Sequence, residues 1–204
     1  MKKIFLIRHG QSEWNKLYKI QGQQDTMLTD LGRKQAVRIG SRLINENVDI
    51  IFTSDLARAF DTANIISGII NKPLVVSQDI REINFGKWEG LTLQNIKEMY
   101  RDEYSLWLKE PDRLEIEGAE TLKKLEARIM NWINNIIMES RENNIAIVSH
   151  SATLKTIILG LLGIDISHYK NITLHNVSLS IVECREYNNV LTMLNDTSHL
   201  KELL

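Results

Sequence analysis

Short apolar runs alternate along this chain with longer segments in which apolar residues return every three or four positions. Ile4-Phe5-Leu6-Ile7, Ile50-Ile51-Phe52 and Ile145-Ala146-Ile147-Val148 are short and mostly β-branched or aromatic, so they predict buried strands at 3–8, 49–53 and 145–149. Pro73-Leu74-Val75-Val76 predicts a further strand. The helical period predicts a helix from 28 to about Asn47, with Ala36, Ile39, Leu43 and Ile44 as its stripe, and a second over 55–70, with Ala59, Ala63, Ile66 and Ile70. A third, over 121–139, carries Leu122, Leu125, Ile129, Trp132, Ile133, Ile136 and Ile137; a fourth, over 151–162, carries Leu154, Ile157, Ile158, Leu161 and Leu162. The tail reads as a hairpin, Val177 to Glu183 and Val190 to Leu194 about Asn188-Asn189. This alternation specifies an α/β fold of three layers, a mostly parallel sheet flanked by helices and finished by an antiparallel pair. No repeat, low-complexity tract or linker interrupts it, so residues 1–204 are expected to form one domain.

Two segments break the rhythm. The polar stretch 9–27 is too long for a simple connector, which marks it as functional. Residues 78–120 follow a strand with Asp79–Gly90, then a short helical pattern around 92–108. An insertion at that point is a small helical lid over the carboxyl edge of the sheet. Its rings (Trp88, Tyr100, Tyr104 and Trp107) are expected mostly to pack the insertion onto the body. As far as they reach a ligand, they favour a partly apolar or ring-bearing one.

The candidate chemistry gathers at strand ends. Arg8-His9-Gly10 directly follows the first apolar run, and His150 directly follows Val148-Ser149. Open α/β sheets place their ligands at this end of the strands, and Arg and His are costly there without a partner. After the strand 49–53, Ser54 or Asp55 is a good N-cap, which puts Arg58 in the first turn of the next helix. The macrodipole disfavours a cation there, so a nearby anion explains it better than helix stability does. If these strands are neighbours in one sheet, Arg8, His9, Arg58 and His150 surround one position, a phosphate site. Glu82 leaves a strand region near the same edge. His168, His175 and His199 lack such a context and read as structural or solvated.

Composition narrows the field. A net charge of −1 argues against a broad nucleic-acid-binding surface, while a local basic pocket is compatible with it. The single Cys184 excludes an internal disulfide framework and a zinc-finger-type site, and no cluster of Asp and His suggests another metal. No segment approaches the roughly 20 apolar residues of a membrane span, and Met1-Lys2-Lys3-Ile4 enters a strand rather than a signal-peptide core. A cytoplasmic protein is expected. The sequence leaves the oligomeric state open.

Leu6-Ile7-Arg8-His9-Gly10-Gln11-Ser12-Glu13-Trp14-Asn15 resembles the signature of the histidine phosphatase superfamily, the phosphoglycerate-mutase-like enzymes. The resemblance continues through Gln21-Gly22, Leu28-Thr29-Asp30-Leu31-Gly32, Thr53-Ser54-Asp55-Leu56-Ala57-Arg58-Ala59, Arg81-Glu82-Ile83, Phe85–Gly90 and Val148-Ser149-His150. These blocks span nearly the whole chain in order. The resemblance implies His9 as phosphorylated nucleophile, Arg8, Arg58 and His150 as ligands of the phosphoryl group, and Glu82 as proton donor. It places Asn15 and Gln21 where similar proteins help hold the phosphate. Ser151 stands where the family often has Gly, and a backbone N–H contact is implied there.

The residue types suit that chemistry. A neutral imidazole attacks phosphorus well when one ring nitrogen is held as a donor and the other keeps its lone pair. Guanidinium groups neutralise charge on the non-bridging oxygens, which is most of what a protein does for phosphoryl transfer. The leaving alkoxide needs a proton, which Glu82 supplies in its protonated form. No metal or other cofactor is called for; the partner is a small-molecule phosphomonoester.

A phosphatase, a phosphoglycerate mutase that uses a bisphosphate cofactor, and a non-catalytic phospholigand-binding protein all fit the fold. Every residue needed for turnover is present, against the last. In the mutase branch, resemblance implies a Lys and an adjacent Arg-Arg pair in the lid. Here residues 91–120 contain no such pair, and Lys97, Arg101, Lys109 and Arg113 face eight carboxylates. Phe85–Gly90 also resembles the phosphatase branch, with its broad-specificity and α-ribazole phosphatases. The reading is a phosphatase.

Overall fold

The computed structural model describes residues 1–201 and 203. Its elements run β1 (Lys2–Arg8), α1 (Glu13–Lys16), α2 (Asp30–Leu43), β2 (Ile50–Ser54), α3 (Ala57–Ile70), β3 (Leu74–Ser77), α4 (Leu93–Met99) and α5 (Arg101–Lys109). They continue with α6 (Leu122–Glu139), β4 (Asn144–Ser149), α7 (Ser151–Leu161), β5 (Leu179–Cys184) and β6 (Asn189–Asp196). One six-stranded sheet has the order β3-β2-β4-β1-β5-β6. β3, β2, β4 and β1 are parallel, while β5 and β6 close the sheet antiparallel.

The central strands are apolar on both faces because helices cover both. Alternate residues divide between two cores. Ile4, Leu6, Ile145 and Ile147 pack with Leu125, Ile129 and Ile133 of α6 and Leu154, Ile157 and Ile158 of α7. Phe5, Ile7, Ala146 and Val148 pack with Ile39 and Leu43 of α2 and Ala63 and Ile66 of α3. The three-layer α/β architecture with a mostly parallel sheet is therefore as expected.

β4 enters between β1 and β2, which puts the carboxyl ends of β1, β4 and β2 side by side. Arg8 is level with Ser149, and Thr53 with Val148. The condition attached to the four candidate residues is met by this order, at the switch point where α/β sheets leave a crevice.

Two boundaries differ from expectation. α2 stops at Leu43 rather than near Asn47; Ile44 is exposed, outside the buried stripe, and Asn47 takes a left-handed φ of 52° that a helix excludes. α3 starts at Ala57, and neither Ser54 nor Asp55 caps it. Leu56 stands at its N-cap, and the Ala57 N–H donates instead to Asp25 Oδ1 at 2.7 Å. The cap comes from the 9–27 stretch, beyond the reach of any local pattern. Asp55 is engaged by Arg81, whose Nε and Nη2 donate to its two oxygens at 2.7 and 2.5 Å.

The segment 78–120 forms a small third cluster, Trp88, Ile96 and Leu114, flanked by Phe85, Tyr100, Tyr104 and Trp107. Phe85 and Trp107 meet edge to face at 5.4 Å, as do Trp88 and Trp107 at 6.4 Å. Most of the rings thus hold the segment to itself and to the body. Among the described residues no helix is long and apolar enough to cross a membrane.

Candidate active site

The loop after β1 is held by backbone contact. A Cβ on Gly10 would meet the Gly32 carbonyl oxygen at 2.6 Å, and one on Gly32 would collide with the Gln11 carbonyl, so the loop and the start of α2 touch only because both are glycine. The Gly10 N–H donates to Thr62 Oγ1 at 3.0 Å, and Thr62 Oγ1 donates to the Arg58 carbonyl at 2.7 Å. These bonds tie the loop of His9 to the helix of Arg58.

His9 is fully determined in its tautomer. Its Nδ1 lies 2.7 Å from the Gly10 carbonyl oxygen, which can only accept, so Nδ1 carries the hydrogen. Nε2 then has a free lone pair and no hydrogen-bond partner among the described residues. Burial, then Arg58 and Arg8, push the His9 pKa well below its ordinary 6.5, which keeps the ring neutral. His150 caps the start of α7, and its ring centre lies 5.2 Å from that of His9. Burial, followed by Arg58 and His9, lowers its pKa in the same way.

The cations are anchored at one side and open at the other. Arg58 donates from Nη1 to the Gln24 carbonyl at 2.8 Å and from Nη2 to the Gly22 carbonyl at 2.7 Å. Arg8 donates from Nη1 to the Leu174 carbonyl at 2.7 Å. Arg8 Nε, Arg58 Nε and both ring nitrogens of His150 are buried without a partner among the described residues. Burial lowers the Arg58 pKa to about 10, still leaving it charged at neutral pH.

Glu82 sits at the N-terminus of α7. Its Oε1 accepts from the N–H groups of Ile83 and Ala152, both at 3.1 Å, and of Thr153 at 3.3 Å, while Oε2 accepts only a 3.3 Å bond from Ala152. The backbone leading into Glu82 is pinned at two successive carbonyls. Thr153 Oγ1 and Arg128 Nη1 donate to the Arg81 carbonyl, and Ser149 Oγ to the Ile80 carbonyl.

A cleft of about 220 Å³ opens over these groups. Arg8, His9, Asn15, Gln21, Arg58, Glu82 and Ser151 line it, and His150 stands behind against His9. The amide orientations follow from their acceptors. Asn15 Oδ1 takes bonds from the Ser12 N–H and Asn176 Nδ2, and Gln21 Oε1 from Ser12 Oγ and Thr26 Oγ1. Each amide is thus oriented through its oxygen, which leaves the NH₂ as its spare donor. Sequence reading missed Lys19, Phe85 and Tyr169 in the wall, and Asn176, which also donates to the His9 carbonyl. His168 and His175 are exposed and His199 is half-buried; none lines this cleft.

Two expectations about the lid change. Of its rings only Phe85 lines this cleft, so the other rings do not bear on the ligand there. None of the charged residues of 91–120 lines the cleft either, and several are paired: Glu103 with Lys87, Glu110 with Arg113, Glu120 with Arg128. The lid's surplus of carboxylates thus forms no part of the cleft wall. Among the described residues no group of three or more His, Cys, Asp or Glu is placed to hold a metal ion.

Residues 4–197 match the model of the histidine phosphatase superfamily (branch 1). The chain is 32% identical over 202 residues to phosphoserine phosphatase 1 of Hydrogenobacter thermophilus, covering 99% of this chain and 96% of that one. It is 31% identical to a metal-independent phosphoserine phosphatase of Arabidopsis thaliana, over 98% of this chain and 84% of that one. A solved phosphoserine phosphatase from Entamoeba histolytica, in complex with 3-phosphoglyceric acid, superposes with a TM-score of 0.87 at 34% identity, over 98% of this chain and 100% of that one.

Proposed function

The chain belongs to branch 1 of the histidine phosphatase superfamily, and from that premise we propose that it is a metal-independent phosphatase that hydrolyses small-molecule phosphomonoesters through a phosphohistidine on His9. One observation carries the mechanism. The Nδ1–H of His9 is committed to the Gly10 carbonyl, and Nε2 faces a cleft of unpartnered nitrogen donors. Nε2 attacks phosphorus as the ester P–O bond breaks. Arg8, Arg58 and His150, with the amides of Asn15 and Gln21, hold the non-bridging oxygens, and the backbone N–H of Ser151 is a further donor at the same edge. Glu82 protonates the leaving alkoxide from Oε2, the oxygen less occupied by α7. The resulting carboxylate takes a proton from water, which attacks phosphorus and breaks the P–N bond, releasing phosphate and restoring His9.

The phosphatase reading is preferred to the mutase because relatives 31% and 32% identical over nearly this whole chain are phosphoserine phosphatases. It no longer leans on lid charge. We also propose a cytoplasmic location, in keeping with a lone free thiol at Cys184.

Rapid quench with a ³²P-labelled phosphomonoester tests the reading. The label should be acid-labile and base-stable, map to His9, and vanish with turnover in His9→Ala. Phosphate should appear in step with ester loss, unaffected by EDTA and without added bisphosphoglycerate. Label on His150, Ser or Asp, activity restored to EDTA-treated protein by magnesium, or faster bisphosphate-dependent interconversion of 2- and 3-phosphoglycerate would each overturn it.

A further inference from the structure

A second cavity, of about 230 Å³, adjoins the phosphoryl cleft and is lined by Trp107, Leu108, Lys155, Tyr169 and Lys170. Tyr169 belongs to the walls of both. Lys155 lies four positions after Ser151 on α7, and residues so spaced share one helix face. The face that borders the phosphoryl cleft at Ser151 therefore continues, one turn on, to Lys155.

The Lys155 ammonium is unusual in its surroundings. It stands 4.0 Å from the centre of the Tyr169 ring and makes no hydrogen bond or ion pair among the described residues. The side chain is half-buried, and that burial lowers its pKa to about 8. Glu82 is the carboxylate whose charge it feels, yet no ion pair joins the two among the described residues, and Glu82 Oε1 is held by backbone N–H groups. Arg8, whose charge also reaches Lys155, donates to the Leu174 carbonyl and borders the phosphoryl cleft, and the cations of the lid and its flank are paired elsewhere. Lys87 pairs with Glu103, Arg128 with Glu120, and Lys170 donates to the Lys109 carbonyl. A desolvated ammonium held by a ring alone is incompletely compensated, and an anion brought into the cavity completes it.

We propose that Lys155, walled by Tyr169, binds a second anionic group of the substrate, a carboxylate or a second phosphate, and so selects phosphomonoesters that carry one. The proposal rests on the phosphatase reading for the word substrate, and its test is arranged to read binding apart from turnover.

Titration calorimetry on a His9→Ala background compares three ligands: 3-phosphoglycerate, glycerol 3-phosphate and 1,3-propanediol bisphosphate. Lys155→Met keeps the aliphatic stem against Tyr169 and removes the charge. It should weaken one or both of the doubly anionic ligands by about 10- to 100-fold, the value of a charge-assisted contact. Glycerol 3-phosphate should stay within about twofold on the same reasoning, and Lys155→Arg should restore affinity. Which of the two ligands loses more identifies the anion. With His9 intact, the loss should appear in KM rather than kcat. Equal weakening of all three ligands, no weakening, or a selective loss in Lys19→Gln instead would overturn the proposal. A protein that binds selectively yet releases no phosphate would sink the phosphatase reading and leave this one standing.

Discussion

The lid and the carboxyl edge of the sheet bury polar groups in opposite ways. In and beside the lid, partners are internal: Trp88 Nε1 and Lys87 Nζ both donate to Glu103, and Arg128 closes on Glu120 with two bonds. At the sheet edge, among the described residues, Arg8 and Arg58 each keep an unpartnered Nε, and both nitrogens of the buried His150 are likewise open. Buried polar groups normally find partners, and orphaned ones cost stability. The lid meets that requirement by itself. On the proposed function the edge defers it until an anion arrives, which converts its desolvation cost into affinity.

Substitutions on the two sides should therefore separate. The largest effect belongs to Arg58→Ala, which removes charge-assisted bonds worth about 1.5–3 kcal/mol each. Losing two should lower kcat/KM by about two to four decades. It also frees the Gly22 and Gln24 carbonyls, so stabilisation by added phosphate is the cleaner readout. Phosphate should raise Tm in the wild type and fail to do so in the variant. An Arg58→Ala protein still stabilised by phosphate would place the anion elsewhere.

Glu82→Gln comes next. With an alkyl phosphate the phosphorylation rate should fall roughly 10²–10⁴-fold, because the leaving alkoxide needs a proton. An activated aryl phosphate should lose much less. Equal losses for both in single-turnover phosphorylation would remove Glu82 as the acid and leave it a structural cap of α7.

On the other side, Trp88→Ala should cost about 3–5 kcal/mol in denaturant unfolding, as for other buried aromatics. Where the protein is folded, kcat/KM should change only several-fold, since Trp88 packs in the lid cluster and lines no part of the cleft. A loss comparable to that of Arg58→Ala would show that the lid's packing sets the site geometry.

The smallest effect is in pH. His9 and His150 have folded pKa values below 6.5, so the unfolded chain binds more protons as pH drops. Stability contributed by the neutral rings is present above pH 6.5 and declines as pH falls toward their folded values. The carboxyls of Asp55 and Glu46, held low by Arg81, Lys3 and Arg42, add their loss only below about 3.8 and 4.5. Tm of ligand-free protein should therefore decline between about pH 7 and 5.5, and His150→Gln should flatten that slope. A flat wild-type profile would mean the rings titrate normally.

How much was legible follows from the range of each signal. The strands and helices could be read because a period of 2 or 3.6 repeats within a short window. Arg8, His9 and His150 were legible because each sits beside such a run, and charge there is costly. Ser54 and Asp55 misled because they are good caps in isolation, whereas Asp25, from 32 positions away in sequence, holds the Ala57 N–H.

What the sequence alone determined is the alternation of elements, the two cores implied by their stripes, and the chemical types waiting at the strand ends. The tertiary structure decided which of those ends meet. β4 inserts between β1 and β2, so His150 reaches His9, while Lys19, Tyr169 and Asn176 arrive from segments with no periodic signal. It also decided that the charged residues of 91–120 stay out of the cleft wall, several of them paired elsewhere. The physical reason is that periodicity records which face of an element avoids water, and says nothing of which distant backbone will stand opposite it.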